Sequence, residues 1–331
     1  MKKLFVFIGI IILVSILMVQ YIPDYLSGSF NKSAVEVEVK RGASLNTVAE
    51  DLYQKGVIKS RLWFRYKGQD ISRNIKPGTY TIPPNSQLVD IYEIIQKGEQ
   101  EDQIKITFPE GLILYQFAER VEQAGISTAE EFINETNNYF MEKGYDFDTT
   151  NLYYNLEGYI FPDTYYFSED QDVSDIVDKL AETMENVFTQ EYIDRAEELG
   201  LTIHDVLTIA SLIEREAFNN EERERISGVI YNRLEIGMPL QIDASVIYGL
   251  GEGKVHKTRV LYEDLEKDNP FNTYKNKGLP PGPIASPGKE SIHAALYPEE
   301  HDYFYYVMGE NGHVFAASYN EHLKNVSKYR K

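Results

Sequence analysis

The hydrophobic pattern begins with an uninterrupted apolar run at residues 4–22, which holds 19 residues without a charge. A helix of that length spans roughly 28 Å, close to the hydrocarbon thickness of a bilayer. Two lysines precede the run, so the positive-inside rule leaves residues 1–3 in the cytoplasm and the bulk of the chain outside the cell membrane. We therefore expect a single-pass transmembrane helix, followed by a polar tether at residues 23–34. A signal peptide cleaved near residues 27–29 is the alternative.

A strand and an amphipathic helix follow the tether, and both recur 69 residues later. VEVEV alternates with period two, as a half-buried strand does. The stretch after it has the apolar spacing of a helix with Ser44 as its N-cap. Units of this kind bury one face each and must pack on one another, so residues 35–108 are predicted to form a compact α+β module. The matched positions are Gly42 with Gly111, Leu45 with Leu114, Ala49 with Ala118, Leu52 with Val121 and Gly56 with Gly125.

The rest of the chain alternates predicted helices with irregular segments. Residues 109–150 are predicted to be connecting helices, and residues 151–331 a mainly helical α+β domain. The spacing of apolar side chains in residues 172–199 predicts one long helix or a pair of helices. Residues 271–288 are so rich in proline and glycine that we expect a long, ordered loop with a binding or shaping role. The predicted fold is thus α+β, with a transmembrane helix, a small module and a larger domain.

Two glutamates lie near the end of an otherwise apolar helix. Glu214 and Glu216 are separated by Arg215, and a helical projection places them on opposite flanks of the buried face. A buried carboxylate needs either a partner or a function; the alternative is a surface turn where a core helix reaches water. The helix breaks at Asn219, and Asn220 is the predicted cap of the next helix. The helical geometry makes either glutamate a candidate functional carboxylate and does not distinguish between them.

Composition excludes several kinds of chemistry. The net charge of −19 would repel nucleic acid phosphates, so no nucleic acid partner is expected. The chain has no cysteine, which excludes a thiol nucleophile and cysteine-ligated zinc. Its 6 histidines are scattered without metal-ligand spacing, and no nucleophile elbow, P-loop or dinucleotide motif occurs, so we expect no metal and no cofactor. Carboxylate acid–base chemistry on an uncharged polymer remains, and outside a membrane such a polymer is a glycan.

Several motifs, in order, resemble the MltG (YceG-like) endolytic murein transglycosylase family. They are ASLIEREA at 210–217, YNRL at 231–234, SVIYG at 245–249 and GLPPGPI at 278–284. The resemblance implies that Glu216 is the catalytic residue and that residues 151–331 form the transglycosylase domain. It also implies that residues 35–108 are a LysM-like module. The expected reaction is cleavage of the bond between N-acetylmuramic acid and N-acetylglucosamine in peptidoglycan, leaving a 1,6-anhydro end.

The remaining expectations concern the cleft and the partners. Glu157 is a candidate supporting carboxylate, and Glu214 is expected in a structural ion pair. A hydrolytic muramidase would need a second carboxylate, from Asp243 or Glu157, and a non-catalytic wall-binding scaffold is a further alternative. Expected partners are peptidoglycan strands, the membrane and peptidoglycan synthases. The candidate substrate-binding residues, each of which is as readily structural, are Asn232, Gln241, Asp243, Tyr248, Thr273 and Tyr274.

Overall fold

The structure is a computed structural model whose described residues form two compact units, dividing between residues 102 and 103. Each unit has its own hydrophobic core. The described residues are 26, 31–40, 42–69, 75–97, 103–168, 171–254 and 259–329.

The predicted transmembrane helix at residues 4–22 lies outside the described residues. Among the residues that are described, no helix is long and apolar enough to cross a membrane. The predicted fold class is therefore corrected: the structure supports α+β architecture with helices and small sheets, and it does not support the membrane-spanning helix.

In the first unit, a two-stranded antiparallel sheet packs against helices. The alternation in VEVEV places Val37 and Val39 in the core and the intervening glutamates at the surface. The hydroxyl of Ser44 accepts a hydrogen bond from the Thr47 amide and caps the first helix, as expected. The elements are β1 (Val35–Val39), α1 (Leu45–Gln54), α2 (Arg61–Lys67), β2 (Gly78–Ile82) and α3 (Leu88–Lys97).

The second unit begins with the same succession of strand, two helices and antiparallel strand. The strand and helix that the sequence repeat predicts are both present, and their apolar stripe is buried. Gly42 and Gly111 have φ angles of 77° and 76°, a left-handed conformation that glycine adopts without strain. The elements are β3 (Ile104–Thr107), α4 (Leu114–Gln123), α5 (Ala129–Lys143) and β4 (Thr164–Phe167).

The structure extends the repeat to the closing strand, a match that the sequence pattern did not reveal. Val37 pairs with Tyr80, and the corresponding Ile106 pairs with Tyr165. Each tyrosine hydroxyl donates to the carbonyl four residues earlier, at 2.7 Å and 2.9 Å respectively. The described residues therefore contain two βααβ repeats, one in each unit. The domain boundaries and the LysM-like character of residues 35–108 stay predictions.

The remainder of the second unit is mainly helical. Its central helix, α8, is buried at every position from Val206 to Ile213, because neighbouring helices surround it. A short two-stranded sheet lies near the C-terminus. The elements are α6 (Val173–Val187), α7 (Gln190–Glu198), α8 (Ile203–Glu216), α9 (Arg223–Glu235), α10 (Asp243–Leu250), α11 (Tyr262–Leu265), α12 (Lys289–Leu296), β5 (Tyr305–Met308), β6 (His313–Ala316) and α13 (Tyr319–Tyr329).

One helix boundary follows a predicted alternative, and another differs from its prediction. Residues 172–199 form a pair of helices, since Thr189 caps a new helix after the first one ends. Asn219, and not Asn220, supplies the capping side chain after α8. It accepts from the Glu222 amide and starts a 3₁₀ turn at Asn220–Glu222, from which α9 continues. The turn brings the start of α9 close to the end of α8.

Candidate active site

Glu216 is the last residue of α8, where the helix leaves the core. Its side chain is partly exposed to a cavity of about 300 Å³. The cavity walls come from α8, α9, the start of α10 with the residues just before it, the loop after α11, the β5–β6 hairpin and α13. The lining residues are Glu216, Arg233, Gln241, Asp243, Tyr274, Tyr305, Tyr306, Val307, Met308, His313, Tyr319, His322 and Val326.

Burial raises the pKa of the Glu216 carboxyl to about 7. Tyr306 donates a hydrogen bond to Glu216 Oε2 at 3.0 Å, which lowers this pKa because it favours the ionised form. The negative charge of Asp243 raises it, and the positive charges of Arg215 and Arg233 lower it. The carboxyl is therefore poised to hold and release a proton near neutral pH.

Arg233 is a buried cation in the cavity wall, held mainly by backbone carbonyls. Its Nε donates to Phe304 O at 2.6 Å and its Nη1 to Leu240 O at 2.5 Å. Its side chain lies over the ring of Tyr305, 5.5 Å from the ring centroid. Burial lowers the pKa of this guanidinium, and the carbonyl contacts place its charge close enough to act on Glu216.

Three of the candidate substrate-binding residues share the cavity with Glu216. Tyr274 donates to Asp243 Oδ1 at 2.6 Å, which joins the long loop to the start of α10. Gln241 has a φ of 51°, an uncommon backbone conformation for a residue with a side chain, and its amide donates to Thr273 O at 3.1 Å. The structure therefore brings Glu216, Gln241, Asp243 and Tyr274 together, and their roles stay predictions.

Two of the other candidates form part of the framework behind the cavity. Thr273 is buried and its hydroxyl accepts from the Ile242 amide at 2.9 Å. Asn232 donates to the carbonyls of His301 and Tyr303, at 2.8 Å and 2.9 Å. Asn232 thus holds the segment that leads into β5, and β5 carries the tyrosine bonded to Glu216.

Glu157 and Tyr248 lie in the core and bind each other. The Glu157 carboxyl accepts from the Leu114 amide at 2.9 Å and from the Tyr248 hydroxyl at 3.1 Å. Burial raises the pKa of Glu157 to about 8, so it is mainly neutral at pH 7. Neither residue lines the cavity of Glu216. The two hydrogen bonds accepted by the Glu157 carboxyl join α4 to α10.

Glu214 has a different environment from Glu216. Its carboxylate forms an ion pair with Arg223, with Nη1 at 3.0 Å from Oε2 and Nη2 at 3.2 Å from Oε1. The Ser291 hydroxyl and the Gly288 amide also donate to Oε2, at 2.8 Å and 3.1 Å. The expected structural ion pair is present, and it ties the end of α8 to α9 and α12.

Nine of the lining residues were not among the predicted site residues, and these nine include Arg233, Tyr306, His313 and His322. Arg233 lies inside the YNRL motif, so its neighbourhood was indicated although the residue was not selected. Tyr306 is 90 residues from Glu216 and carries no local signal. Among the described residues, no group of three or more histidine and acidic side chains is arranged to hold a metal ion.

Comparison with known proteins assigns the family. The model of the YceG-like family matches residues 37–328. The chain is 36% identical to the endolytic murein transglycosylase of Bacillus subtilis (strain 168), over 90% of this chain and 86% of that protein. It is 29% identical to the protein of the same name from Streptococcus pneumoniae serotype 2 (strain D39), over 94% of this chain and 61% of that one.

A solved structure agrees in fold. The crystal structure of a YceG-like protein from Listeria monocytogenes superposes with a TM-score of 0.62 and 32% sequence identity, covering 89% of this chain and all of that one. With the family model matching most of the chain, this protein belongs to the YceG-like family.

Proposed function

We propose that this protein is a peptidoglycan lytic transglycosylase with Glu216 as its general acid. It cleaves the β-1,4 bond between N-acetylmuramic acid and N-acetylglucosamine in glycan strands. The observation that carries this proposal is the Glu216 carboxyl, which faces a polar cavity and whose pKa burial raises to about 7. The name shared by the Bacillus and Streptococcus relatives, endolytic murein transglycosylase, supports the substrate.

In the proposed reaction, protonated Glu216 donates its proton to the glycosidic oxygen as the bond to the muramoyl C1 breaks. Positive charge develops at C1, and the C6 hydroxyl of the same sugar closes onto it. The hydroxyl loses its proton to a base as the ring closes, and the carboxylate left on Glu216 is one candidate for that base. No water is added, and the product is a 1,6-anhydromuramoyl end.

The product distinguishes this reaction from hydrolysis. Purified uncrosslinked glycan strands digested with the wild-type protein are expected to yield fragments with 1,6-anhydro ends, one water lighter than reducing ends. Mass spectrometry of the fragments measures this difference directly. Reducing ends would instead favour a muramidase in which Asp243, the other carboxylate lining the cavity, activates water. Intact strands would favour a non-catalytic wall-binding role.

Tyr306→Phe is expected to shift the pH dependence of cleavage. Removing the phenolic hydroxyl removes a hydrogen bond to the Glu216 carboxylate, so the pKa of Glu216 rises further. The acid must be protonated, so kcat/KM falls as pH rises through that pKa, and the variant's alkaline limb moves to higher pH. At pH values below the limb, where the carboxyl is protonated, the loss of kcat/KM stays within about tenfold, the contribution of one hydrogen bond between neutral groups.

The control for this experiment is Tyr303→Phe, which removes a hydroxyl from a tyrosine outside the cavity lining. It is expected to leave the pH profile of kcat/KM where the wild type has it. An alkaline limb of Tyr306→Phe that coincides with the wild-type limb, or lies at lower pH, would contradict the proposed influence of Tyr306 on Glu216.

The location and partners belong to the same proposal. Glycan strands of the wall lie outside the cytoplasm, so the protein is proposed to act there. Peptidoglycan synthases, which make the strands, are the proposed neighbours, and cleavage within a new strand would help to end its elongation. Pulldown of synthases by the wild-type protein from crosslinked cells tests this association.

A further inference from the structure

A second acidic group is paired with a histidine at the edge of the cavity. Glu222 Oε1 lies 2.8 Å from His313 Nδ1, and both side chains are only 7% exposed. Two backbone amides also donate to this carboxylate, that of Phe218 to Oε1 and that of His313 to Oε2. The pair joins the turn after α8 to the start of β6, and the proposed reaction does not use it.

The hydrogen bonds define which ring nitrogen is available. Burial by itself raises the pKa of Glu222, but the hydrogen bonds from His313 and Phe218 outweigh it and lower this pKa overall. The ionised carboxylate can only accept, so Nδ1 of the His313 ring carries the proton in that contact. In the neutral imidazole Nε2 then has the free lone pair. No described residue makes a hydrogen bond with Nε2.

The hairpin directs this ring into the cavity of Glu216. His313 pairs with Met308, and Tyr306 is two residues along β5 on the same face. The rings of His313 and Tyr306 meet edge to face with their centroids 5.0 Å apart. Tyr306 in turn donates to Glu216. A sugar in the cavity would therefore lie within reach of a carboxylic acid and an imidazole.

The charged and titratable groups around His313 are few. Glu222 faces it from the 3₁₀ turn and Tyr306 from β5. Glu216 of α8 accepts a hydrogen bond from Tyr306. The guanidinium of Arg225, on α9, lies over the ring of Phe315. Tyr319 and His322 of α13 line the same cavity. The group in direct contact with the Nδ1 side of the ring is Glu222, as in a carboxylate–histidine pair that orients a base.

We propose that His313, oriented by Glu222, is the base that takes the proton of the attacking substrate hydroxyl, while Glu216 acts as the acid. This inference rests on the proposed transglycosylase function. The muramoyl O6–H bond breaks and its proton moves to His313 Nε2. The O6–C1 bond forms, the bond from C1 to the leaving oxygen breaks, and Glu216 protonates that oxygen. Exchange with solvent then returns His313 to the neutral and Glu216 to the protonated form.

The test replaces the base and keeps the contact that holds it. His313→Asn retains an N–H near the position of Nδ1 and lacks Nε2. Its kcat is expected to fall by about 10²–10⁴-fold, the usual contribution of a positioned base, with little change in KM. His313→Ala is expected to regain activity when imidazole is added, and its rescued rate should rise with the neutral fraction of imidazole.

Glu222→Gln gives a second readout, because it removes the anion that holds Nδ1 of the His313 ring. Its kcat is expected to fall by about tenfold or more with little change in KM. The double variant Glu222→Gln, His313→Ala should be no slower than His313→Ala, because Glu222 acts through His313. Glu222→Gln decides the question by itself if thermal melting shows that His313→Asn does not fold.

The control is His293→Asn, on α12 and outside the cavity, whose imidazole lies 3.9 Å from Glu224. It should retain wild-type kcat. Activity of His313→Asn within about threefold of wild type would overturn the inference. So would a loss in His313→Ala that imidazole does not restore, or a kcat of Glu222→Gln within about threefold of wild type. If wild type makes no anhydro ends, the proposed function itself fails; if only Glu216→Gln is inactive, the role of His313 alone fails.

Discussion

Glu216→Gln is expected to cleave glycan strands at least about 10³-fold more slowly than the wild-type protein, because an amide at this position has no proton to donate to the glycosidic oxygen. The measurement is the rate of release of anhydro-ended fragments from uncrosslinked strands. Binding of the strands should persist, since the amide matches the shape of the carboxyl and accepts the hydrogen bond from Tyr306. Glu197→Gln, on the exposed side of α7, is the control and should retain full activity.

The same substitution should not harm stability. The pKa of Glu216 is about 7 in the folded protein, above its ordinary value of 4.5. A carboxyl with a raised pKa costs folding free energy as pH rises from the unfolded toward the folded value, and that cost is complete above about pH 7. Glutamine does not ionise, so at pH 8 the variant should melt at the same temperature as wild type or higher. Activity above a tenth of wild type would contradict the assignment of Glu216.

Glu214→Ala is expected to destabilise the second unit by about 3–5 kcal/mol, the usual cost of removing one partner from a buried ion pair. Arg223 would keep its charge in a site where its side chain is only 10% exposed. The Gly288 amide and the Ser291 hydroxyl would also lose their acceptor. Thermal unfolding should show a melting temperature lower by about 10 °C for a unit of this size.

A surface pair provides the matched control for this prediction. Arg225 and Glu299 are also 3.0 Å apart, but their side chains are 39% and 36% exposed. Glu299→Ala should cost less than about 1 kcal/mol, because water screens an exposed pair. The double variant Glu214→Ala, Arg223→Met should recover part of the loss, since it leaves no charge unpaired. Equal costs for Glu214→Ala and Glu299→Ala would show that burial does not govern the contribution of the first pair.

Both predictions rest on the different surroundings of Glu214 and Glu216, which the helical pattern alone does not reveal. The helical projection places Glu214 and Glu216 on opposite flanks of one apolar helix, and only the resemblance to the YceG-like family selects Glu216. In the structure Glu214 is satisfied by Arg223, Gly288 and Ser291, whereas Glu216 accepts from Tyr306 and lines the cavity. The partners of each glutamate come from segments far along the chain. A local pattern carries no information about such contacts.

The candidate cleft residues show the same limit. Asp243 and Tyr274, 31 residues apart, meet in the cavity wall. Glu157 and Tyr248, 91 residues apart, meet in the core instead. Both pairs consist of polar side chains far apart in the sequence. The packing of the chain decides that one pair lies in the cavity wall and the other in the core.

What the sequence determined by itself is local: the period-two strand at Val35–Val39, the helix capped by Ser44, and the repeat of both after 69 residues. These follow from the spacing of apolar side chains and from capping hydrogen bonds between near neighbours. Tertiary structure decided the closing strand of the second βααβ repeat, the partners of the two glutamates and the Glu222–His313 pair. Each of these depends on strand register or on burial by distant segments, and neither quantity is set by adjacent residues.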